Sequence, residues 1–153
     1  MRLAVPNGIQ YTLRSLISFT IPGKPKALKR HRVARKGRMY DPSRADKKQT
    51  WLQIAKHKPK LPLAGDIDLK LIFYMPRPKD HYRTGKYSQL LKEKCKDIVY
   101  HSYTPDLDNL VKYIADTIQG KHGMICDDSQ ICWLQAVKVY SNKPRTEVVI
   151  KEL

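Results

Sequence analysis

Apolar residues recur along this chain with two different periods. Residues 15–21 alternate, with Ile17, Phe19 and Ile21 on one side and Ser18 and Thr20 on the other, which predicts a half-buried strand. Pro22, Gly23 and Pro25 end it. Residues 65–75 give the clearest strand: Ile67, Leu69, Leu71, Phe73 and Met75 share one face, Asp68 and Lys70 the other, and Pro76 and Pro78 stop it. The period then changes. Leu107, Leu110, Val111, Ile114 and Ile118 recur at helical spacing, predicting a helix over 107–119 with Gly120 as its stop. An earlier helix is predicted from Asp41-Pro42-Ser43 to about Lys56, burying Trp51, Leu52, Ile54 and Ala55. Residues 131–140 and 146–150 read as two further strands joined as a hairpin through Ser-Asn-Lys-Pro. Residues 77–104 are an excursion from the sheet with a short helix near 87–96.

The predicted fold is α+β: a small single domain over residues 15–153, with a mixed or antiparallel sheet of about four strands packed with two or three helices. Residues 1–14 are predicted to be an N-terminal extension. A chain of 153 residues is long enough to bury a core without disulfides. Cys95, Cys126 and Cys132 form no C-x-x-C and are expected to be reduced thiols. No apolar run approaches the roughly 20 residues of a membrane span, and the first ten residues lack the apolar stretch of a signal peptide. A cytoplasmic location without membrane partners is the expectation.

Charge changes the picture. Thirty Lys and Arg against 14 Asp and Glu leave the chain at +16, and the commonest partner of such an excess is a nucleic-acid backbone. Residues 24–38 hold Lys24, Lys26, Lys29, Arg30, Arg32, Arg35, Lys36 and Arg38 and no acid. Self-repulsion and the lack of an apolar period predict a loop or ribbon there, binding phosphates by counterion release.

The few acids are grouped. Asp106, Asp108, Asp116, Asp127 and Asp128 all fall between 106 and 128. If they converge, their repulsion calls for a cation, and hard carboxylate oxygens favour Mg²⁺ or Mn²⁺, equipment for phosphodiester hydrolysis. Pro105 biases the backbone before it toward extended geometry, placing Asp106 at the helix boundary, where its carboxylate can reach the same spot as that of Asp108. Asp108, Lys112 and Asp116 then form an i, i+4, i+8 stripe. Each piece also has an ordinary explanation: Asp106 as an N-cap, Asp108–Lys112–Asp116 as a surface ladder, Asp127-Asp128-Ser129 as a solvated turn. The Asp66-Ile67-Asp68 pair, with no acids nearby, is expected to be solvated surface. Trp51, Trp133 and Tyr103 are expected in the core rather than stacked on bases, and the five histidines at the surface.

The string T-P-D-L-D-N-L-V-K-Y-I-A-D-T-I, followed by I-C-D-D-S-Q-I, resembles the RusA family of Holliday junction resolvases of phages and prophages. G-R-M-Y-D-P before the first helix adds to the likeness. By that resemblance Asp106 and Asp108 match the first two catalytic carboxylates, Lys112 the essential lysine and Asp128 the third carboxylate. Asp127 and Asp116 match further acidic positions, and the implied metal ligands are Asp106, Asp108, Asp128 and Asp127. The resemblance implies a Mg²⁺-dependent homodimer, Mn²⁺ substituting, that binds four-way junction DNA and nicks two strands symmetrically. Two other functions compete on the residues alone: a non-catalytic basic nucleic-acid-binding protein, and a nuclease using His101 or His122 as base.

Overall fold

The computed structural model describes residues 15–153; the predicted extension over 1–14 lies outside the described residues. Strand β1 spans Leu16–Pro22, a ribbon pairs β2 (Arg32–Val33) with β3 (Met39–Tyr40), and helix α1 runs Arg44–Ile54. Strand β4 (Ile67–Pro76), helix α2 (Leu107–Ile118), β5 (Ile131–Ser141) and β6 (Arg145–Glu152) complete the chain. The sheet order is β1-β6-β4-β5, with β4 parallel to β5 and antiparallel to β6. This is the predicted α+β domain with a mixed four-stranded sheet. No helix among the described residues is long and apolar enough to cross a membrane.

The two periods build the core. Ile67, Leu69, Leu71, Phe73 and Met75 of β4 are fully buried, and Leu110, Tyr113, Ile114 and Ile118 of α2 pack on them. A parallel β4–β5 pair needs a crossover, and residues 77–130 provide it, carrying α2 across one face of the sheet. Gly120, at φ +111°, ends the helix in a conformation that favours glycine.

Several expectations are corrected. Strands β5 and β6 are not a hairpin: β4 lies between them, and residues 142–144 cross its end. The most apolar strand takes the central position, where both edges and its core face are covered. The helix expected near 87–96 is instead two short 3₁₀ turns, Gly85–Tyr87 and Glu93–Cys95, since no apolar face is available to hold a longer one. Leu52 is 69% exposed; Ile54 is buried as expected, Thr50 is buried beside it, and Trp51 packs at the core's margin. Asp68 is 9% exposed rather than solvated, shielded in the central strand by its neighbours on β5 and β6, with Lys70 3.8 Å away. The cysteines are free, Cys95 buried and Cys126 and Cys132 exposed.

Helix α1 has little apolar pattern and is held by polar links. Thr50 and Tyr113 share a buried hydrogen bond of 2.9 Å. Lys47 bridges Asp41 at 2.6 Å and Asp116 of α2 at 3.3 Å, all three side chains mostly buried. Burial opposes the Lys47 charge, but bonds to the two carboxylates overcome it and raise its pKa. The Lys47 bond lowers the pKa of Asp41. The bridge therefore stabilises fully above the ordinary carboxylate range, fades as pH falls through the lowered Asp41 value, and is lost again only when strong alkali deprotonates Lys47. A Lys47→Ala protein should lose roughly 1–2 kcal/mol of stability at pH 7 and much less near pH 2.5, measured by urea unfolding at both pH values.

Candidate active site

Helix α2 positions the first group. Asp106 takes the N-cap place, the boundary that Pro105 predicts, with extended backbone (φ −68°, ψ 144°), yet its carboxylate makes no capping bond. The capping role is not what keeps an acid there. Asp108 in the first turn is exposed and accepts a bond from Lys112 Nζ at 3.1 Å. That bond holds the Asp108 carboxyl below its usual range, so the group is ionised at any physiological pH.

The entry to the helix is strapped from the sheet. Lys138 Nζ of β5 donates to the carbonyls of Tyr103 at 2.5 Å and Pro105 at 2.7 Å, fixing the residue that precedes Asp106. Lys138 is not among the residues expected at the site. The signal was present: it is a lysine in the register of Leu134, Ala136 and Tyr140, an otherwise apolar face. Beside it, His101 is 9% exposed, packed between Tyr140 and Tyr103. Burial first, then the Lys138 and Lys24 charges, hold its pKa below the ordinary value. This corrects the expectation of a surface histidine and argues against a base reaching out to substrate. His122 lies exposed in the turn after α2, away from Asp106.

The basic segment is rooted at the same place. The Leu28 amide donates to the Asn109 carbonyl at 2.9 Å, and the Lys29 amide to Ser43 Oγ at 2.9 Å. From this root the chain runs out as the predicted ribbon, with Gly37 (φ +73°) in its turn. Lys26 and Lys29 each lie 3.3 Å from Asp46, whereas Arg30, Arg32, Arg35, Lys36 and Arg38 are exposed and make no ion pair among the described residues. Lys24 is exposed, and its charge is felt at His101. The arrangement is a strongly cationic arm whose base touches the carboxylate-bearing turn.

The second acidic group sits elsewhere. Asp127 caps the 3₁₀ turn Asp128–Gln130, its carboxylate accepting from Ser129 N at 2.9 Å while Gln130 Oε1 accepts from its amide. The bond to Ser129 lowers the Asp127 pKa. Asp128 is exposed, its amide bonded to the Gln119 side chain at the far end of α2. A 12-residue helix is about 18 Å long, so Asp128 and the Asp106–Asp108 pair stand at opposite ends of it. The expected convergence within one chain is therefore corrected: closeness in sequence crosses a helix, not a turn. No group of three or more metal-ligating side chains gathers among the described residues. Asp116 likewise turns away from Lys112 to Lys47 of α1, leaving one rung of the expected ladder. The aromatic expectation also changes: Trp133 and Tyr103 are exposed, and only Trp51 packs against the core.

Residues 22–151 match the family described as Endodeoxyribonuclease RusA. The chain belongs to the RusA family. It is 33% identical over 125 residues to the crossover junction endodeoxyribonuclease rusA of Lactococcus phage r1t, covering 80% of this chain and 83% of the phage protein. It is also 34% identical over 143 residues to the uncharacterized protein YqaN of Bacillus subtilis (strain 168), covering 90% of this chain and 96% of that one. The RusA match spans every element from the basic arm to β6, so the acidic turn, the strap and the arm all lie within the family's nuclease domain.

Proposed function

We propose that this chain resolves four-way DNA junctions as a Mg²⁺- or Mn²⁺-dependent endonuclease, acting as a homodimer that nicks two symmetry-related strands. Residues 15–153 are the nuclease unit. The observation that carries this is an uncapped Asp106 beside an ionised Asp108, placed at the root of an arm with unpaired cations, in a chain of the RusA family. Two neighbouring carboxylates suit a divalent ion that takes one or two protein oxygens and completes its shell with water and phosphate. Asp106 and Asp108 would hold the metal; Asp128, with Asp127 beside it, lies a helix length away in the same chain and would complete the set only from the other copy of the homodimer. Bound there, the ion supplies an activated water and neutralises charge on the phosphoryl oxygens.

The chain's own groups do the rest. Arg30, Arg32, Arg35, Lys36 and Arg38, with Lys24, Lys26 and Lys29, grip backbone phosphates and bring a strand to the acidic turn. Lys112 holds the Asp108 carboxylate in place and presents positive charge toward the scissile phosphate. Such contacts report branch shape rather than sequence, and the affinity falls steeply with salt. A two-fold dimer matches the two equivalent strands of a junction.

The test uses labelled four-way junction, linear duplex and single strand, with Mg²⁺ or chelator. Paired nicks in the junction alone, abolished by chelation, are expected. Tight junction binding without any nick in either metal would overturn the enzyme in favour of a binding protein.

A further inference from the structure

We infer that this chain carries a second phosphate-binding groove, on the face of the sheet away from the helices, and that the groove holds the backbone of one duplex arm of a branched DNA while the basic ribbon holds another. The inference rests on the junction-binding reading proposed above and names the surface that tells a branch from a straight duplex.

The groove lies where β4 and β5 end and β6 begins. It encloses about 450 Å³, and Arg77, Lys96, Lys143 and Arg145 line it against one acid, Asp97. Tyr74 forms part of its wall. Tyr74 and Arg145 are register partners that alternate with the buried Phe73 and Thr146, so both point away from α2.

The chain itself leaves much of this charge unused. Arg77 is half-buried and makes no ion pair among the described residues; its Nε is buried without a hydrogen-bond partner, and Nη1 lies 3.4 Å from His81 Nδ1. A guanidinium donor short of an acceptor favours any side-chain rotation that brings it to a phosphate oxygen. Arg145 is already fixed. Its guanidinium stacks 3.5 Å over the Tyr74 ring, Nε donates to Glu147 at 2.9 Å, and Nη1 donates to the Lys143 carbonyl at 3.1 Å. The other terminal nitrogen makes no hydrogen bond among the described residues. A planar fork held in place with one edge open suits phosphate. Lys143 is exposed and unpaired among the described residues. Lys96 is tied only to Glu93, in an exposed pair that is worth little and can exchange for phosphate.

Placement gives the groove its role. The ribbon is rooted on the helical face, through Asn109 of α2 and Ser43 before α1. Two cationic surfaces therefore flank one end of the sheet from opposite faces, tied together by Gly23 N donating to Pro144 O at 3.1 Å. A straight duplex lies along one of them. Two arms diverging from a branch can straddle the sheet's end and use both. Ile98 lines the groove, and the eight residue steps from there to Asp106 span at most roughly 28 Å, which keeps both arms near the cutting turn.

The test measures binding in chelator across a range of salt, on a four-way junction and on a linear duplex with the sequence of one arm. An Arg77→Gln/Lys143→Gln protein should bind the junction about tenfold more weakly at about 0.15 M salt, with the slope of log affinity against log salt smaller by about two, because two phosphate contacts are gone. Its affinity for the duplex should stay within about twofold of wild type. Unchanged junction affinity and slope overturn the groove, and equal losses on both DNAs overturn its assignment to a second arm. Far-UV circular dichroism checks the fold; should that variant not fold, Lys96→Gln/Lys143→Gln, at two exposed positions, is held to the same criteria. A wild type that binds the junction no better than the duplex overturns the groove and the proposed function together. A wild type that prefers the junction but never nicks it with Mg²⁺ overturns the nuclease proposal alone, and the salt slopes still decide the groove.

Discussion

An Asp108→Asn protein binds a four-way junction at least as tightly as the wild type and cuts it about 100-fold more slowly or worse. The side chain is 62% exposed and its side-chain partner is the ammonium of Lys112, so the change leaves the core intact. Asparagine keeps the shape but removes the charge that would hold a divalent ion, and losing one such electrostatic contact typically costs two to three orders of magnitude in rate. Binding moves the other way. Lys112 loses its anionic partner, and phosphate no longer meets a carboxylate. Gel shift with chelator and nicking with Mg²⁺, on one preparation, check both halves. Cutting retained within a few-fold would remove Asp108 from the chemistry.

The largest expected effect on stability is at Phe73. Phe73→Ala should cost about 3–5 kcal/mol, a large share of the roughly 5–15 kcal/mol that domains of this kind possess. Phe73 is fully buried at the middle of β4, with β5 and β6 on its flanks, so no neighbour can collapse into the space. Tyr74, one residue on, faces the other side and stacks on Arg145 at 3.5 Å. Tyr74→Ala should cost about 1–2 kcal/mol, since it loses a partly exposed ring contact and a 3.3 Å hydrogen bond to Glu147. Urea unfolding should show the larger fall in midpoint for Phe73→Ala with little change in slope. Equal midpoints for the two variants would contradict the burial pattern.

Local order was legible because it is written in period. The alternation of 67–75 and the helical stripe from Leu107 to Ile118 each match an observed element to within a residue or two. The proline ahead of Asp106 marked the boundary correctly. What failed was long-range. A four-residue link between two apolar strands looks like a hairpin, and nothing local says that β4 inserts between them. Trp133 reads as core because apolar residues on both faces suggest a covered strand; on an edge strand it stands open. The acidic site followed the same rule. Motif residues were identifiable, but their separation depends on which end of α2 each occupies, and spacing in sequence hides a helix length. Lys138 acts through carbonyls 33 and 35 positions away and Lys47 through a carboxylate 69 positions away, and both leave only a faint mark as charges in apolar surroundings.

The Leu28-to-Asn109 bond has a practical meaning for anyone altering this protein. Among the described residues grip and blade share one backbone hydrogen bond, so they can be tuned apart on the far side of it. Exchanging cations toward the tip of the ribbon should retune how long the molecule stays on its substrate while leaving the cutting edge aligned. Shifting the chain at the link itself swings the edge, and both properties fall together.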